Sequence, residues 1–161
     1  RLFKQYAHEG GIHTPMIAHW PNGIKGKGTT SSTLSHLVDL MPTILEATAI
    51  KPSENAGGDK RIAWDGRSIL PSLLGKKQPD PAVLFFNHAR GKAIRTGNWK
   101  LVFNKDEKKK AKRELYDLSK DVHEDKNLAK EKPELAKKFL AMMEKAHLPH
   151  PNWPTPRSRK K

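Results

Sequence analysis

From Val83 to Leu118 the chain alternates short apolar runs with turn and charged segments, and no other feature constrains its fold as tightly. Val83-Leu84-Phe85-Phe86, Lys92 to Thr96, Trp99 to Asn104 and Glu114 to Leu118 read as strands, and only Gly97-Asn98 separates the second from the third. Gly-Asn between two such runs is a signal for a two-residue hairpin. Lys105 to Arg113, which includes Lys108-Lys109-Lys110, is almost wholly charged and is expected as a solvated loop. Pro133 can open a helix because the first turn needs no amide from it, and Leu135, Phe139, Met142 and Met143 then share one face up to about His147. A small antiparallel sheet with one helix packed on it is the predicted result.

Upstream the pattern is different. Lys76 to Pro81, KKQPDP, is the clearest boundary in the chain. Before it, Pro42 limits a helix to a start near Asp39, since proline is tolerated in a first turn and not further in. Ser68 to Gly75 reads as a short helical turn, Lys51 to Trp64 as a linker, and Lys25 to Ser32 as a small-residue basic loop. At the amino end, Glu9-Gly10-Gly11 is expected as a sharp reversal using positive φ at glycine, followed by a buried strand, Pro15 to Ala18. Lys4 would then lie on a loop at the mouth of a sheet, where open α/β folds place ligands. On the residues alone, a loop lysine is usually only a solvated one.

Several of these segments, taken in order, resemble the sulfatase family. Lys4 with Glu9-Gly10-Gly11 is similar to the family's Glu-Gly-Gly segment, in which a lysine five residues before the glutamate contacts the sulfate group. Asp39-Leu40-Met41-Pro42-Thr43, Asp65-Gly66-Arg67-Ser68-Ile69-Leu70-Pro71, Ala93 to Leu101 (AIRTGNWKL) and Glu114-Leu115-Tyr116-Asp117-Leu118 resemble its later motifs, and together they run to about His147. The resemblance implies an α/β fold. Residues 1–78 would be the end of the alkaline-phosphatase-like sulfatase domain, 79–148 a small α+β subdomain with an antiparallel sheet packed by one helix, and 149–161 a basic, proline-rich tail.

The resemblance also implies what this chain lacks. Sulfatases use a formylglycine made from Cys or Ser in a Cys/Ser-x-Pro/Ala-x-Arg signature, with calcium ligands nearby. No cysteine occurs here, and Ser31-Ser32-Thr33-Leu34, Ser53-Glu54-Asn55 and Ser158-Arg159-Lys160 do not fit that pattern. Starting at Arg1-Leu2-Phe3, the chain is expected to be the C-terminal part of a sulfatase, inactive alone, with formylglycine and calcium belonging to the full-length enzyme. No metal site is expected within it. The implied partners are a sulfate-ester substrate, with a sulfated carbohydrate preferred over an aryl ester, and the upstream part of its own domain. The family further implies a secreted or periplasmic protein, which the absence of cysteine neither supports nor opposes.

Charge keeps a second reading open. With 31 Lys and Arg against 17 Asp and Glu, the formal net charge is +14, which attracts sulfated glycans, nucleic acid and anionic lipid alike. A non-catalytic polyanion-binding module is therefore the alternative. No apolar run approaches the roughly twenty residues that a spanning helix needs. Arg95, Trp99 and Lys100 interleave an aromatic with cations as single-strand binders do. However, Trp99 after a hairpin turn is expected to pack under the helix with its charged neighbours pointing outward, so no nucleic-acid partner is expected.

The site residues implied by the family are few. Lys4 would hold a sulfuryl oxygen as a point charge. His88, in Asn87-His88-Ala89-Arg90-Gly91 at a strand end, would face the leaving-group side of the substrate, and Arg90 would meet a further sulfate or carboxylate. Glu9 is read as a structural carboxylate that pairs locally or caps the turn. His8 and His13 are read as structural or surface residues because no second histidine pair supports a metal site. Met41, Met142 and Met143 are read as helix packing.

Overall fold

Thr96 pairs with Trp99 across Gly97-Asn98, so the loop is the two-residue hairpin that the sequence signals. Gly97 has φ +54, and glycine at the first central position is what one of the two favoured hairpin turns requires. The computed structural model describes residues 2–26, 28–53, 55–56, 59–60, 63–88, 91–105 and 111–146. In chain order these form α1 (Glu9–Ile12), a 3-10 turn (Leu37–Asp39), α2 (Leu40–Ala47), β1 (Asn55–Ala56), β2 (Asp59–Lys60), α3 (Leu70–Leu73), β3 (Leu84–His88), β4 (Gly91–Thr96), β5 (Trp99–Lys105), β6 (Ala111–Asp117) and α4 (Pro133–Ala146). The expectations for Arg90, Lys108-Lys109-Lys110 and the tail 149–161 fall outside the described residues. Among the described residues no helix is long and apolar enough to cross a membrane.

The chain divides into two compact units, the described parts of Arg1–His13 with Phe85–Lys161, and those of Thr14–Leu84. In the first, β3, β4, β5 and β6 form a four-stranded sheet in sequence order, with β4, β5 and β6 antiparallel. Register sets Ile94 opposite Leu101 and Leu101 opposite Leu115, and all three are buried. Helix α4 packs on β4 and β5 and buries Ala136, Phe139 and Met143. Strand alternation puts Ala93, Val102 and Tyr116 on the opposite face, and these pack with Ala7 in one cluster. The sheet is therefore covered twice, by a helix it expects and by the amino-terminal segment, which the hydrophobic pattern did not announce.

The second unit is held by hydrogen bonds that tie two motif segments together. The buried Asp39 carboxylate accepts from the amides of His36 at 2.8 Å and Arg67 at 2.9 Å. Thr43 donates its hydroxyl to the Asp39 carbonyl at 2.6 Å and accepts from the Ile69 amide at 2.9 Å. Asp39 was expected to cap α2. It holds the N-cap position of α2, but its side chain closes a capping box on the 3-10 turn with His36 and makes no cap bond to α2 itself. The predicted linker contains the short pair β1 and β2.

Pro15 to Ala18 is a correction. Those residues are not in a strand, and Ile17 is 95% exposed. Extended backbone becomes a strand only when a neighbour accepts its hydrogen bonds, and no described strand pairs with this segment.

Candidate functional site

The site is built where residues 4–13 lie on the sheet. Helix α1 is a single turn whose residues follow His8, with the amides of Gly11 and Ile12 donating to the His8 carbonyl at 2.8 and 3.1 Å. Its glycines do not take the positive φ expected from the sequence, a correction. Gly11 is needed for space, because a Cβ there would lie 2.2 Å from the Tyr6 carbonyl oxygen. The close return of the chain on itself turns His8 and Glu9 inward, and both are buried.

Each of these side chains meets its own group from the sheet and the loop beyond it. The Asn104 amide nitrogen donates to His8 Nδ1 at 3.0 Å, which leaves His8 Nε2 as the protonated nitrogen, 2.9 Å from Glu114 Oε2. Glu9 Oε1 lies 2.7 Å from Lys100 Nζ, and the same ammonium lies 2.8 Å from Glu124 Oε1. Glu124 Oε2 accepts from the Glu9 backbone amide at 2.9 Å. Arg95 stands 3.7 Å and His13 3.3 Å from Glu9 Oε2. Glu9 thus has one local partner, His13, and its shortest contact is with a residue 91 positions away.

Lys100 corrects a second expectation. Alternation does turn it away from Leu101, but that face is covered by the amino-terminal segment, so the side chain that should have been solvated is 0% exposed. Trp99 is half-buried and holds the Lys132 ammonium 5.5 Å from its ring centroid. At Glu114, burial by itself would raise the carboxyl. Hydrogen bonds from His8 and Lys112, with the positive charge beside them, outweigh it and hold the group at about 2.

Lys4 is exposed and left-handed, with φ +54, and Leu2 has φ +50. Such backbone is disfavoured for residues other than glycine and collects at functional positions. His88 ends β3, is exposed, and places Nδ1 3.3 Å from the Gln5 carbonyl oxygen. The fold therefore brings His88 beside the residue that follows Lys4. Among the described residues no group of three or more His, Asp or Glu gathers to hold a metal ion. A cleft of about 520 Å³ lined by Trp99, Asp117, Lys120, Asp121, Lys126 and Lys132 includes neither Lys4 nor His88.

A family model described as N-sulphoglucosamine sulphohydrolase, C-terminal, matches residues 2–148. An uncharacterized sulfatase of Schizosaccharomyces pombe is 32% identical over 143 residues, covering 87% of this chain and 26% of that protein. Human arylsulfatase A is 37% identical over 109 residues, 64% of this chain and 20% of its own. The N-acetylgalactosamine-6-sulfatase of Canis lupus familiaris is 32% identical over 100 residues, 62% and 18%. The chain thus spans no more than 26% of the length of these relatives. A structure solved in complex with its substrate D-glucosamine-2-N,6-O-disulfate superposes with a TM-score of 0.54 at 24% identity, over 78% of this chain and 26% of that one. Another, described under the metabolism of multiple glycosaminoglycans by Bacteroides thetaiotaomicron, gives 0.51 at 24% identity over 66% and 24%. At that identity these two speak for the fold alone.

Proposed function

The chain belongs to the sulfatase family, as a C-terminal portion, and from that premise we propose that it supplies a sulfuric ester hydrolase with a substrate-facing wall and one cation of its reaction site. The observation that carries the reading is the seating of the Lys4 loop: Ala7, His8 and Glu9 are buried on the sheet, and Lys4 stands exposed just before them. The ammonium there is a point charge. It binds a sulfuryl oxygen and offsets the negative charge that grows on the ester as the sulfur–oxygen bond breaks. His88, beside Gln5, faces the leaving alcohol, and Arg90 binds a further anionic group on the substrate.

The substrate class is a sulfated carbohydrate. Support comes from a relative named as an N-acetylgalactosamine-6-sulfatase. The basic balance of the chain points the same way. Formylglycine and calcium are assigned on this reading to residues outside this chain. No chemical step is derived through either group, and the chain alone is expected to hydrolyse nothing. Residues 1–78 close the catalytic α/β domain on this reading, and 79–148 form the subdomain against whose sheet residues 7–9 are packed. A polyanion-binding module without chemistry has less support, because the relatives are named as sulfatases.

The test is Lys4→Ala in the full-length protein, assayed on a sulfated monosaccharide. A loss of roughly 10²-fold or more in kcat/KM is expected for removing one charge-stabilising donor. Unchanged turnover would remove Lys4 from the chemistry.

A further inference from the structure

Glu124, like Leu2, Lys4 and Ala49, is a non-glycine residue held left-handed, at φ +60, and unlike Lys4 it is completely buried. One of its carboxylate oxygens accepts from the Glu9 amide at 2.9 Å, and the other lies 2.8 Å from the Lys100 ammonium as an ion pair. Its own loop is braced, since the Asp121 carboxylate accepts from the amides of Asp125 and Lys126 at 3.0 and 2.9 Å. Strained backbone of this kind persists only where the surroundings over-determine it.

We infer that Lys100 and Glu124 are positioning residues of the hydrolytic reaction, which through the side chain and amide of Glu9 fix the seat of the loop that carries Lys4. The inference rests on the reading of Lys4 given above. Lys4 is five residues from Glu9, and the intervening chain enters the interior only at Ala7 and His8. Lys4 itself is exposed, so its position is set by where the chain is gripped at residues 7–9. Apolar contact at Ala7 tolerates small slides. An ammonium shared by two carboxylates, with an amide held by one of them, tolerates fewer, because both distance and direction are specified. Stability alone is a poor account of the arrangement, since buried ion pairs are commonly no more stabilising than apolar packing of the same volume. What the group provides is orientation, and misplacement by about 1 Å of a reacting contact can cost on the order of 10²-fold in rate.

The experiment is a double-mutant cycle in the full-length sulfatase between Lys4→Ala and Glu124→Gln, read as kcat/KM on a sulfated monosaccharide with a thermal melt of each variant. Glutamine keeps the volume and an acceptor for the Glu9 amide while removing the charge that faces Lys100. Glu124→Gln alone should lower kcat/KM roughly tenfold, and in the Lys4→Ala background it should cost less than about twofold, because coupled residues are non-additive. Lys100→Arg, which keeps the charge and changes its reach, gives the same pattern and covers the case in which Glu124→Gln does not fold. An equal loss in both backgrounds, or no loss in either, overturns the inference while leaving Lys4 in place. An inert Lys4→Ala, by contrast, removes the reading of Lys4 itself.

Discussion

Lys100 Nζ lies 2.7 Å from Glu9 Oε1, with the lysine side chain 0% and the glutamate 8% exposed. The pair joins a motif at the start of the chain to one in the middle of a sheet, which explains why both motifs hold a charged residue at a position that is not solvated. Removing the cation would leave Glu9 and Glu124 facing each other's charge in the interior. Lys100→Met should therefore destabilise the full-length protein by about 3–5 kcal/mol. Glu9→Gln in the same background should recover part of that loss, and strictly additive denaturation midpoints would show that the two do not interact.

Glu114 makes stability depend on acid. Its carboxyl stands at about 2 in the fold against 4.5 when unperturbed. The folded state therefore resists protonation more than the unfolded chain does, and the contribution is fully present above about pH 4.5 and lost as pH falls toward 2. At roughly 1.4 kcal/mol for each unit of difference, it amounts to as much as about 3 kcal/mol. Denaturation measured from pH 6 down to 2 should show the wild type losing more stability over that window than Glu114→Gln. Parallel curves would remove the His8–Glu114–Lys112 contacts from the cause.

Strand β4 begins at Gly91, opposite Asn104 in register, and a Cβ on Gly91 would lie 2.0 Å from Asn104 Oδ1. Asn104 cannot retreat freely because its amide nitrogen holds His8. Gly91→Ala should then cost about 1–3 kcal/mol by overpacking. The same substitution should cost less when Asn104 is also shortened to Ala. A Gly91→Ala protein with an unchanged melting point would mean that β4 and β5 have room to part.

The strands and α4 were legible because turn chemistry and hydrophobic period agree there. Gly97-Asn98 fixes a register, and Pro133 with the Phe139 and Met143 spacing fixes a helix and its buried face. The covering of the second sheet face was not legible, because what lies there is polar: His8, Glu9, Lys100, Asn104 and Glu114 are buried in complementary pairs that no hydrophobic pattern reveals. One signal was available. Lys100 stands between Trp99 and Leu101 on a strand, a charge in an apolar setting that calls for a buried counter-charge elsewhere in the chain. Pro15 to Ala18 failed for the opposite reason, since an apolar run specifies a strand only when a partner is there to accept it. Lys4 was legible only through resemblance, and nothing in local spacing gives a loop lysine a role.

Thr43 shows how far a motif can be explained by hydrogen bonds alone. Its buried hydroxyl donates to the Asp39 carbonyl at 2.6 Å and accepts from the Ile69 amide at 2.9 Å, so one oxygen ties α2 to the segment that leads into α3. Valine has nearly the same shape and neither capacity, and it would leave the Ile69 amide without its acceptor in a buried position. An orphaned donor of this kind costs about 1–3 kcal/mol, whereas serine keeps both bonds and loses only a methyl group. Thr43→Val should therefore lower the denaturation midpoint of the full-length protein well below that of Thr43→Ser. In hydrogen exchange, the Ile69 amide should lose protection in the valine variant and keep most of it in the serine one. Equal midpoints and equal exchange would mean that shape, and not the hydroxyl, is what position 43 contributes.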